Sequence, residues 1–361
     1  MVRAAPLPDL LGGGRLVAYA PGDAGRPHPK QLRLDAVALH RHGFRAITTP
    51  ATPRLAGPVC RVFKRHGFRL VLVDIADPRD HGALGRARGW RRCADGFVVG
   101  RGGLAAGRYD RALLETAMAR LRHTTGRPVT TREPVAEYER DPRLLALGDW
   151  AFPSANPYAA GAGLPQTACG FSVRRYFALV ERADPGHPIV LGETGLPSAG
   201  APPLSENGQR AFLACVEVRD VRFEHHTAFD DAGRTDGPVA GHWGLFRADR
   251  TPKAWALSIA PPRIAMWVRP GRVRGVVGNA APPTFRVALY ARGERWQPRG
   301  LVEISPRGRW KARGTVSAAL LVSRAFVPAL GADLPPVDGT TVFARVTDAG
   351  SDERGPATVD R

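Results

Sequence analysis

The sequence predicts an α/β protein in which a (β/α)8 barrel is followed by a small antiparallel β-sandwich. Three observations lead to this fold class. Short apolar runs alternate with amphipathic helices eight times through about the first 260 residues, which is the period and size of such a barrel. The pentapeptide Arg-His-Gly-Phe-Arg occurs at 41–45 and again at 65–69, each time where a helix passes into a strand. After Pro261 and Pro262 the helical periodicity gives way to short runs separated by turn residues.

Each predicted barrel strand is short, and most are followed by a helical stretch. Phe68–Ile75 is almost continuously apolar, as expected of a parallel strand covered on both faces. The predicted strands are Arg15–Tyr19, Phe44–Thr48, Phe68–Ile75, Gly96–Gly100, Val129–Thr131, Trp150–Tyr158 (strand or extended), Ile189–Leu191 and Val221–His225. The predicted helices are Gln31–His42, Val59–Arg65, Arg111–Arg122, Val135–Leu147 with a break at Pro142, Val173–Arg182, Gln209–Val218 and Pro252–Ile259. A doubly wound open sheet is the alternative, but no Gly-x-Gly-x-x-Gly follows the first strand to favour it.

Four regions are predicted along the chain. Their boundaries are 1–14 for an N-terminal extension, 15–260 for the barrel, 264–348 for the β-sandwich and 349–361 for a polar, disordered tail. The sandwich strands are predicted at Val273–Val277, Phe285–Tyr290, Ala318–Val322 and Thr341–Arg345. Three tryptophans of this region, Trp267, Trp296 and Trp310, either fill its core or stack on glycan.

Composition limits the function classes. The 361-residue chain has 52 Lys and Arg against 33 Asp and Glu, a net charge of +19, so contact with polyanions is expected. The basic residues are mostly scattered, which argues against nucleic-acid binding as the main function; the densest group is Arg263, Arg269, Arg272 and Arg274. The sequence contains no run of about 18 apolar residues, so no membrane span is predicted. Met1–Gly14 has no apolar segment of signal-peptide type, so the sequence by itself favours the cytoplasm.

No metal or cofactor is expected. Cys60, Cys93, Cys169 and Cys215 are widely spaced and form no Cys-x-x-Cys, which argues against a zinc site and against a dense disulfide framework. The histidines near Asp230 lack the spacing of metal ligands; they are His225, His226 and His242.

The segment His187–Ser198, HPIVLGETGLPS, carries the main candidate for catalysis. Its apolar run ends at Gly192, and Glu193 follows at the point where the strand must turn. Barrel enzymes place catalytic groups at the carboxyl ends of their strands. The alternative is a structural carboxylate that caps a helix or pairs with an arginine. The other strand ends supply further carboxylates and aromatic rings, a combination that suits sugars.

This segment resembles the nucleophile strand of glycoside hydrolase family 17, which comprises β-1,3-glucanases and glucanosyltransferases. Four other segments are similar to motifs of that family: Thr130–Pro134 (TTREP), Phe223–Asp231 (FEHHTAFDD), Gly241–Phe246 (GHWGLF) and Asp249–Lys253 (DRTPK). The resemblance covers residues 15–258. It implies a retaining enzyme acting on β-glucan with Glu193 as nucleophile, in the periplasm or outside the cell. It also implies that the substrate contacts Tyr19, Arg101, Asn156, Tyr158, Phe229, Asp230 and Trp243.

The fourth strand departs from the family. Where the family has Gly-Asn-Glu, with Glu as general acid/base, this chain has Gly100-Arg101-Gly102. Glu133 and Glu224 are the candidates to replace the missing acid, or else they orient the substrate or the nucleophile. Arg101 beside Glu193 is expected to hold that carboxylate ionised. The alternatives to an enzyme are a non-catalytic glycan-binding protein on a degenerate barrel and a polyanion-binding protein.

Overall fold

The computed structural model describes residues 14–21, 28–280 and 284–347, and the backbone of 359–360. The chain forms two compact units, Met1–Ala248 and Asp249–Arg361. The helix predicted at Pro252–Ile259 as the last of the barrel therefore falls in the second unit. The predicted N-terminal extension, apart from Gly14, and most of the predicted tail lie outside the described residues.

The first unit is built on a parallel sheet of seven strands in the order β5-β4-β3-β2-β1-β7-β6. The strands are β1 (Arg15–Ala18), β2 (Phe44–Pro50), β3 (Leu70–Ile75), β4 (Gly96–Arg101), β5 (Val129–Arg132), β6 (Leu191–Thr194) and β7 (Phe223–His225). Each agrees with a predicted strand to within a few residues.

The sheet closes through the segment predicted as the sixth strand. Its residues form parallel bridges to both edge strands: Pro134 to Ser154 on the β5 side, and Ala151 to Ile189 and Ser154 to Gly192 on the β6 side. The Ser154 N–H donates to the Glu133 carbonyl at 2.7 Å, and the Ala155 N–H donates to the Gly192 carbonyl at 2.9 Å. Extended backbone thus occupies all eight positions, which confirms the predicted barrel.

Helices cover the outside of the sheet in the first unit. They are α1 (Pro29–Arg41), α2 (Ala56–Arg65), α3 (His81–Trp90), α4 (Arg111–Thr125), α5 (Val135–Arg140), α6 (Pro165–Arg182) and α7 (Glu206–Val218), with a 3-10 turn at Pro142–Leu144. Helix α3 was not predicted, because three glycines in its ten residues hide the apolar period. Asp80 caps this helix by accepting from the Ala83 N–H.

Apolar side chains from most of the strands meet inside the barrel. They are Leu16, Ala46, Leu70, Leu72, Val98, Trp150, Phe152 and Val190, all buried. Trp150 and Phe152 belong to the extended sixth segment, so packing holds this segment in place although its ladder is short.

Two disulfides link neighbouring elements of the barrel. Cys60 in α2 is bonded to Cys93, and Cys169 in α6 is bonded to Cys215 in α7. All four cysteines of the chain are therefore paired. The spacing argued only against a dense disulfide framework and predicted neither pair, because partners 33 and 46 residues apart meet only when successive elements pack side by side.

The second unit begins with α8 (Ala254–Ile259) and continues as two antiparallel sheets. One sheet has the order β12-β9-β8 and the other the order β11-β10-β13-β14-β15. The strands are β8 (Arg263–Arg269), β9 (Arg272–Gly278), β10 (Phe285–Arg292), β11 (Trp296–Glu303), β12 (Arg309–Arg313), β13 (Ala318–Ser323), β14 (Val342–Thr347) and β15 (Val359–Asp360). Residues such as Met266, Val273, Leu289 and Leu321 from both sheets form one buried core, as in a β-sandwich.

Three sandwich strands, β8, β11 and β12, were not predicted. Their exposed sides carry many charged or polar residues, which weakens the apolar signal. The last strand, Val359–Asp360, pairs with β14 through Val359 and Val346. These two residues of the tail were predicted as disordered, and the structure places them in a strand. Among the described residues, no helix combines the length and apolarity needed to cross a membrane.

Candidate active site

Glu193 lies at the carboxyl end of β6, within the mouth of the barrel. Its φ is 48°, a left-handed conformation that is uncommon for a residue with a side chain. The Glu193 N–H donates to Glu224 Oε2 at 3.1 Å, which holds this backbone turn. Gly195 permits the following turn, because a Cβ there would lie 2.3 Å from the His226 carbonyl oxygen. Local backbone and a buried carboxylate together therefore set the position of Glu193.

Two guanidinium groups contact the Glu193 carboxylate. Arg101 Nε lies 2.8 Å from Glu193 Oε1, and Arg132 Nη1 lies 3.7 Å from the same oxygen. The Ser154 hydroxyl donates to Oε2 at 2.7 Å. Burial alone would raise the pKa of Glu193, but Arg101, Arg132 and the other neighbours outweigh it and lower this pKa to about 2. The carboxylate is ionised at neutral pH and its side chain is 20% exposed.

Arg132 is the centre of the charged network below Glu193. Its side chain is fully buried, and its Nη2 lies 3.0 Å from Glu224 Oε1. Its Nη1 lies 3.4 Å from Asp74 Oδ2, and its guanidinium stacks 4.5 Å from the centre of the Phe152 ring. Burial opposes the charge of Arg132, but Glu224, Asp74 and Glu193 overcome this and raise its pKa. One cation thus compensates three carboxylates that converge from different strands.

Arg101 extends the network toward solvent. Its Nη2 lies 3.4 Å from Asp74 Oδ2, so this guanidinium bridges Asp74 and Glu193. The side chain is 41% exposed although its Nε is buried, so the outer part of the guanidinium faces the mouth. Burial raises the pKa of Asp74, and the two arginines lower it in part.

The fourth strand presents Arg101, not Gly102, to Glu193. Gly102 has a φ of +60° and would place a Cβ 3.9 Å from Pro134, so space is available but a side chain would be strained. The ungapped comparison with family 17 had put Gly102 at the position of the acid. In the structure the fourth-strand side chain closest to the nucleophile candidate is a permanent cation, which donates hydrogen bonds and gives up no proton at working pH.

Glu133 is held on the other side of the mouth. Its Oε1 accepts from the Tyr109 hydroxyl at 2.5 Å, and its Oε2 accepts from the Leu104 N–H at 3.1 Å. Burial raises the pKa of Glu133, and these two hydrogen bonds lower it in part. The raised pKa suits a general acid, whereas full burial, which Glu133 shares with Glu224, and the two occupied oxygens suit a residue that orders the loop after β4.

Glu224 is fully buried and holds other site residues. Its Oε1 faces Arg132 and its Oε2 accepts from the Glu193 N–H. Both oxygens are therefore used for positioning. Of the two roles that the sequence analysis left open for Glu224, this geometry fits the orienting one, because the carboxyl has no surface to offer a leaving group.

His226, Trp243 and Tyr158 form an aromatic rim beside Glu193. The His226 ring lies 5.3 Å from that of Trp243, and the Trp243 ring lies 5.9 Å from that of Tyr158. Burial lowers the pKa of His226 to about 4, with Arg101 and Arg132 contributing and Glu193 opposing. The imidazole is thus neutral at pH 7, and its Nδ1 is buried with no hydrogen-bond partner among the described residues.

The remaining predicted substrate contacts are of two kinds. Tyr19 and Phe229 are buried, with the Tyr19 hydroxyl donating to Asp35 at 2.9 Å and the two rings 6.2 Å apart. They support the wall of the barrel and offer no open ring face. Asn156 and Asp230 are partly exposed; each accepts from a backbone N–H, that of Ala159 in the first case and of Gly244 in the second.

The sequence assigned no role at the site to four residues that the structure places there: Arg132, Ser154, His226 and Asp74. Arg132 is the last residue of the buried strand β5 and directly precedes Glu133, and a charged residue in a buried strand is a signal for a charged partner. Ser154 and His226 carry no signal in the chain, because their contact with Glu193 arises from strands brought together by barrel closure.

Comparisons with known proteins agree with this geometry at the level of the fold. A scan against protein-family models and a search of curated proteins each find no match. Among solved structures, the chain is similar to a GH5_18 protein from Streptomyces cattleya in complex with GlcNAc, with 15% identity, a TM-score of 0.55, and 68% of this chain and 79% of that one covered. It is similar also to CJP38, a beta-1,3-glucanase and pollen allergen of Cryptomeria japonica, with 14% identity, a TM-score of 0.52, and 66% and 97% covered.

A third similar structure is a beta-glucuronidase from an uncultured Clostridium species, with 17% identity, a TM-score of 0.52, and 68% of this chain and 49% of that chain covered. The chain thus spans about half the length of that enzyme. Together with the closed sheet of the first unit, these similarities show a TIM-barrel fold. Identities this low establish the fold and leave membership of family 17, the substrate and the mechanism to be proposed.

Proposed function

We propose that this chain acts on β-1,3-glucan as a glycoside hydrolase or glucanosyltransferase of the retaining type, with Glu193 as nucleophile. The observation that carries the proposal is the state of Glu193: an ionised, partly exposed carboxylate at a strand end, with both oxygens oriented by neighbours. In the first step a carboxylate oxygen attacks C1 of the donor sugar, and the bond from C1 to the leaving group breaks. Water or a sugar hydroxyl then attacks C1 and releases Glu193.

The leaving group is the demanding part of this reaction. Arg101 occupies the side of Glu193 from which a fourth-strand acid is expected to act, and a guanidinium stabilises an anion without protonating it. General acid catalysis contributes about 10²–10⁴-fold, most for poor leaving groups. The proposal therefore favours donors whose leaving group departs without a proton, or an acid role for Glu133, whose pKa burial raises.

The test uses β-laminaribiosyl fluoride, because fluoride leaves without protonation and a retaining β-glucanase attacks C1 of the β-anomer. We expect fluoride release by the unaltered protein, none by Glu193→Ala, and formation of an α-glycosyl azide when azide is added to Glu193→Ala. The inverted azide product is diagnostic of a missing nucleophile. Asp77→Ala is the matched control, because Asp77 is a strand-end carboxylate of the same mouth that pairs with Arg79 and not with Glu193. Equal release by Glu193→Ala and the unaltered protein would exclude Glu193 as nucleophile.

The role of Glu133 is separable in the same assay. If Glu133 protonates the leaving oxygen, Glu133→Gln lowers hydrolysis of laminari-oligosaccharides and leaves fluoride release unchanged. If it only orders the loop through Leu104 and Tyr109, both reactions change together.

A second candidate function is glycan binding without turnover. The ion pair between Arg101 and Glu193 favours it, because it satisfies the carboxylate without a substrate. Binding of laminarin with no fluoride release in any condition would select this function. No binding and no release would reject both.

The compartment is proposed as an oxidising one, in the periplasm or outside the cell. Support comes from the pairing of all four cysteines in two disulfides, since such bonds persist where thiols are not kept reduced.

A further inference from the structure

One face of the three-stranded sheet in the second unit is almost entirely basic. Side chains alternate along its strands, so Ile264, Met266 and Val273 enter the core while their neighbours face outward. We call the outward side the basic face. Its exposed cations are Arg263, Arg269, Arg272, Arg274, Arg309, Lys311 and Arg313, and its other side chains are Trp267, Val276 and the partly buried Ala265.

The pairing of the strands brings these residues into rows. Arg272 of the central strand lies between Arg269 on one side and Arg313 on the other. In the next row Arg274 lies between Trp267 and Lys311. Paired residues in such rows are about 5 Å apart, and alternate residues along a strand about 7 Å apart. The basic face is therefore a regular array of cations around one aromatic ring.

The described part of the chain does not neutralise this array. No Asp or Glu occurs between Asp249 and Glu294 or between Glu303 and Asp333, so the three strands and their turns contain no acid. Among the described residues, none of the seven cations of the basic face has a recorded ion pair, although arginines elsewhere in the protein form many. Like charges directly opposite one another in a sheet destabilise it. An arrangement that costs stability and has no counterion among the described residues is suited to an external polyanion.

We propose that the basic face binds an acidic polysaccharide, a glycan whose sugars carry carboxylate or sulfate groups. Guanidinium groups bind both anions through paired N–H donors. Trp267, 43% exposed on the edge strand β8 and paired with Arg274, offers a ring face for stacking on a sugar. Binding at this site uses ion pairs and ring stacking on the second unit. It does not depend on whether the barrel catalyses a reaction on a glycan.

A nucleic acid also binds to cations and stacks on aromatic rings. A further observation is therefore needed to choose between an acidic polysaccharide and a nucleic acid as the ligand. The two disulfides favour an oxidising compartment, where acidic glycans are the common polyanions. A nucleic acid and an anionic membrane are accordingly the outcomes that would overturn the assignment.

The experiment measures binding of the full chain to four probes over a range of NaCl concentrations. The probes are polygalacturonate, dextran sulfate, a 20-nucleotide oligothymidylate and vesicles containing phosphatidylglycerol, with neutral laminarin as reference. The test variant is the triple substitution Arg272→Ser, Arg274→Ser and Arg313→Ser. The matched control is Arg88→Ser, Arg92→Ser and Arg120→Ser, which removes three exposed arginines of the barrel and so changes the net charge equally.

We expect the test variant to bind the two acidic polysaccharides about tenfold or more weakly at low salt, with a shallower dependence on salt. The control is expected to stay within about twofold, because its charges lie apart from the site. Trp267→Ala should weaken polysaccharide binding while leaving the salt dependence unchanged, since stacking involves no counterion release. The test variant should melt no lower than the unaltered protein, because its replaced side chains are exposed and lie opposite other cations.

Three results would overturn the proposal. Equal losses in the test and control variants would show that net charge alone attracts polyanions. Tighter binding of the oligonucleotide or of the vesicles than of either polysaccharide would assign the face to that partner. Unchanged polysaccharide binding in the test variant, with an unchanged melting temperature, would show that the basic face takes no part.

Discussion

The barrel mouth and the basic face are both rich in arginine, yet they treat its charge in opposite ways. In the mouth, Arg132 is fully buried and lies within 4 Å of Asp74, Glu193 and Glu224. On the basic face, residues such as Arg272 and Arg274 are exposed beside other cations. Burial makes an unpaired charge too costly to keep, whereas water tolerates it. The net charge of +19 therefore does not predict the electrostatic properties of either region. The effect of each cation depends on its position in the folded protein.

The largest effect that tests this comparison is the loss of a buried partner in the mouth. Glu224→Ala leaves Arg132 with a buried charge facing an empty space, and removes the acceptor for the Glu193 N–H. We expect the free energy of unfolding to fall by about 3–5 kcal/mol, measured by urea denaturation. Asp236→Ala, which breaks an exposed pair with Arg234, is the control and should show no resolvable change. A small effect of Glu224→Ala would mean that Asp74 and Glu193 suffice to compensate Arg132.

A smaller effect is expected on protonation within the mouth. The pKa of Glu193 is lowered from its ordinary value of 4.5 to about 2, so its ionised form stabilises the fold above pH 4.5, and this contribution is lost as pH falls through 2. Removing the Arg101 charge with Arg101→Gln should raise the pKa of Glu193 by about 1–2 units. The contribution of Glu193 to stability is then smaller, and its loss is complete at a higher pH. Carboxyl titration by ¹³C NMR measures the midpoint directly.

Arg79→Gln is the control for this titration. Arg79 is also an arginine at a strand end of the barrel, but it pairs with Asp77. The midpoint of Glu193 should not move in this variant. A midpoint that stays near pH 2 in Arg101→Gln would show that Arg132 and Ser154 are sufficient to hold the carboxylate ionised.

The smallest effect is expected on the basic face, and it has the opposite sign. Arg274→Thr removes a cation that lies opposite Lys311 and places a β-branched residue in a central strand. We expect a gain of about 0.2–1 kcal/mol in the free energy of unfolding, observed as a slightly higher melting temperature. A clear loss of stability would mean that Arg274 has a structural partner, and the contrast between the two regions would then fail.

Much of the fold was predictable because it depends on local patterns. The apolar runs predicted the parallel strands, and Glu193 was found because Gly192 and Gly195 bracket it at a strand end. Strands β8 and β12 were not predicted, since the arginine and lysine residues on their outward side obscure the alternation of apolar and polar residues. The four basic residues at Arg263, Arg269, Arg272 and Arg274 were noticed as a group, but their neighbours on β12 were not.

Periodicity, turn residues and strand-end carboxylates are properties of neighbouring residues, so the order of the chain already contains the barrel, the sandwich and the position of Glu193. Pairings across the fold are not contained in that order. The contacts of Arg132 with Glu224, of Ser154 with Glu193 and of Cys169 with Cys215 join residues 92, 39 and 46 positions apart. They exist because barrel closure and helix packing bring distant segments together. The same holds for the basic face, where strand register places Arg313 beside Arg272. Charge compensation depends on distance in space, and therefore it is settled only when the chain has folded.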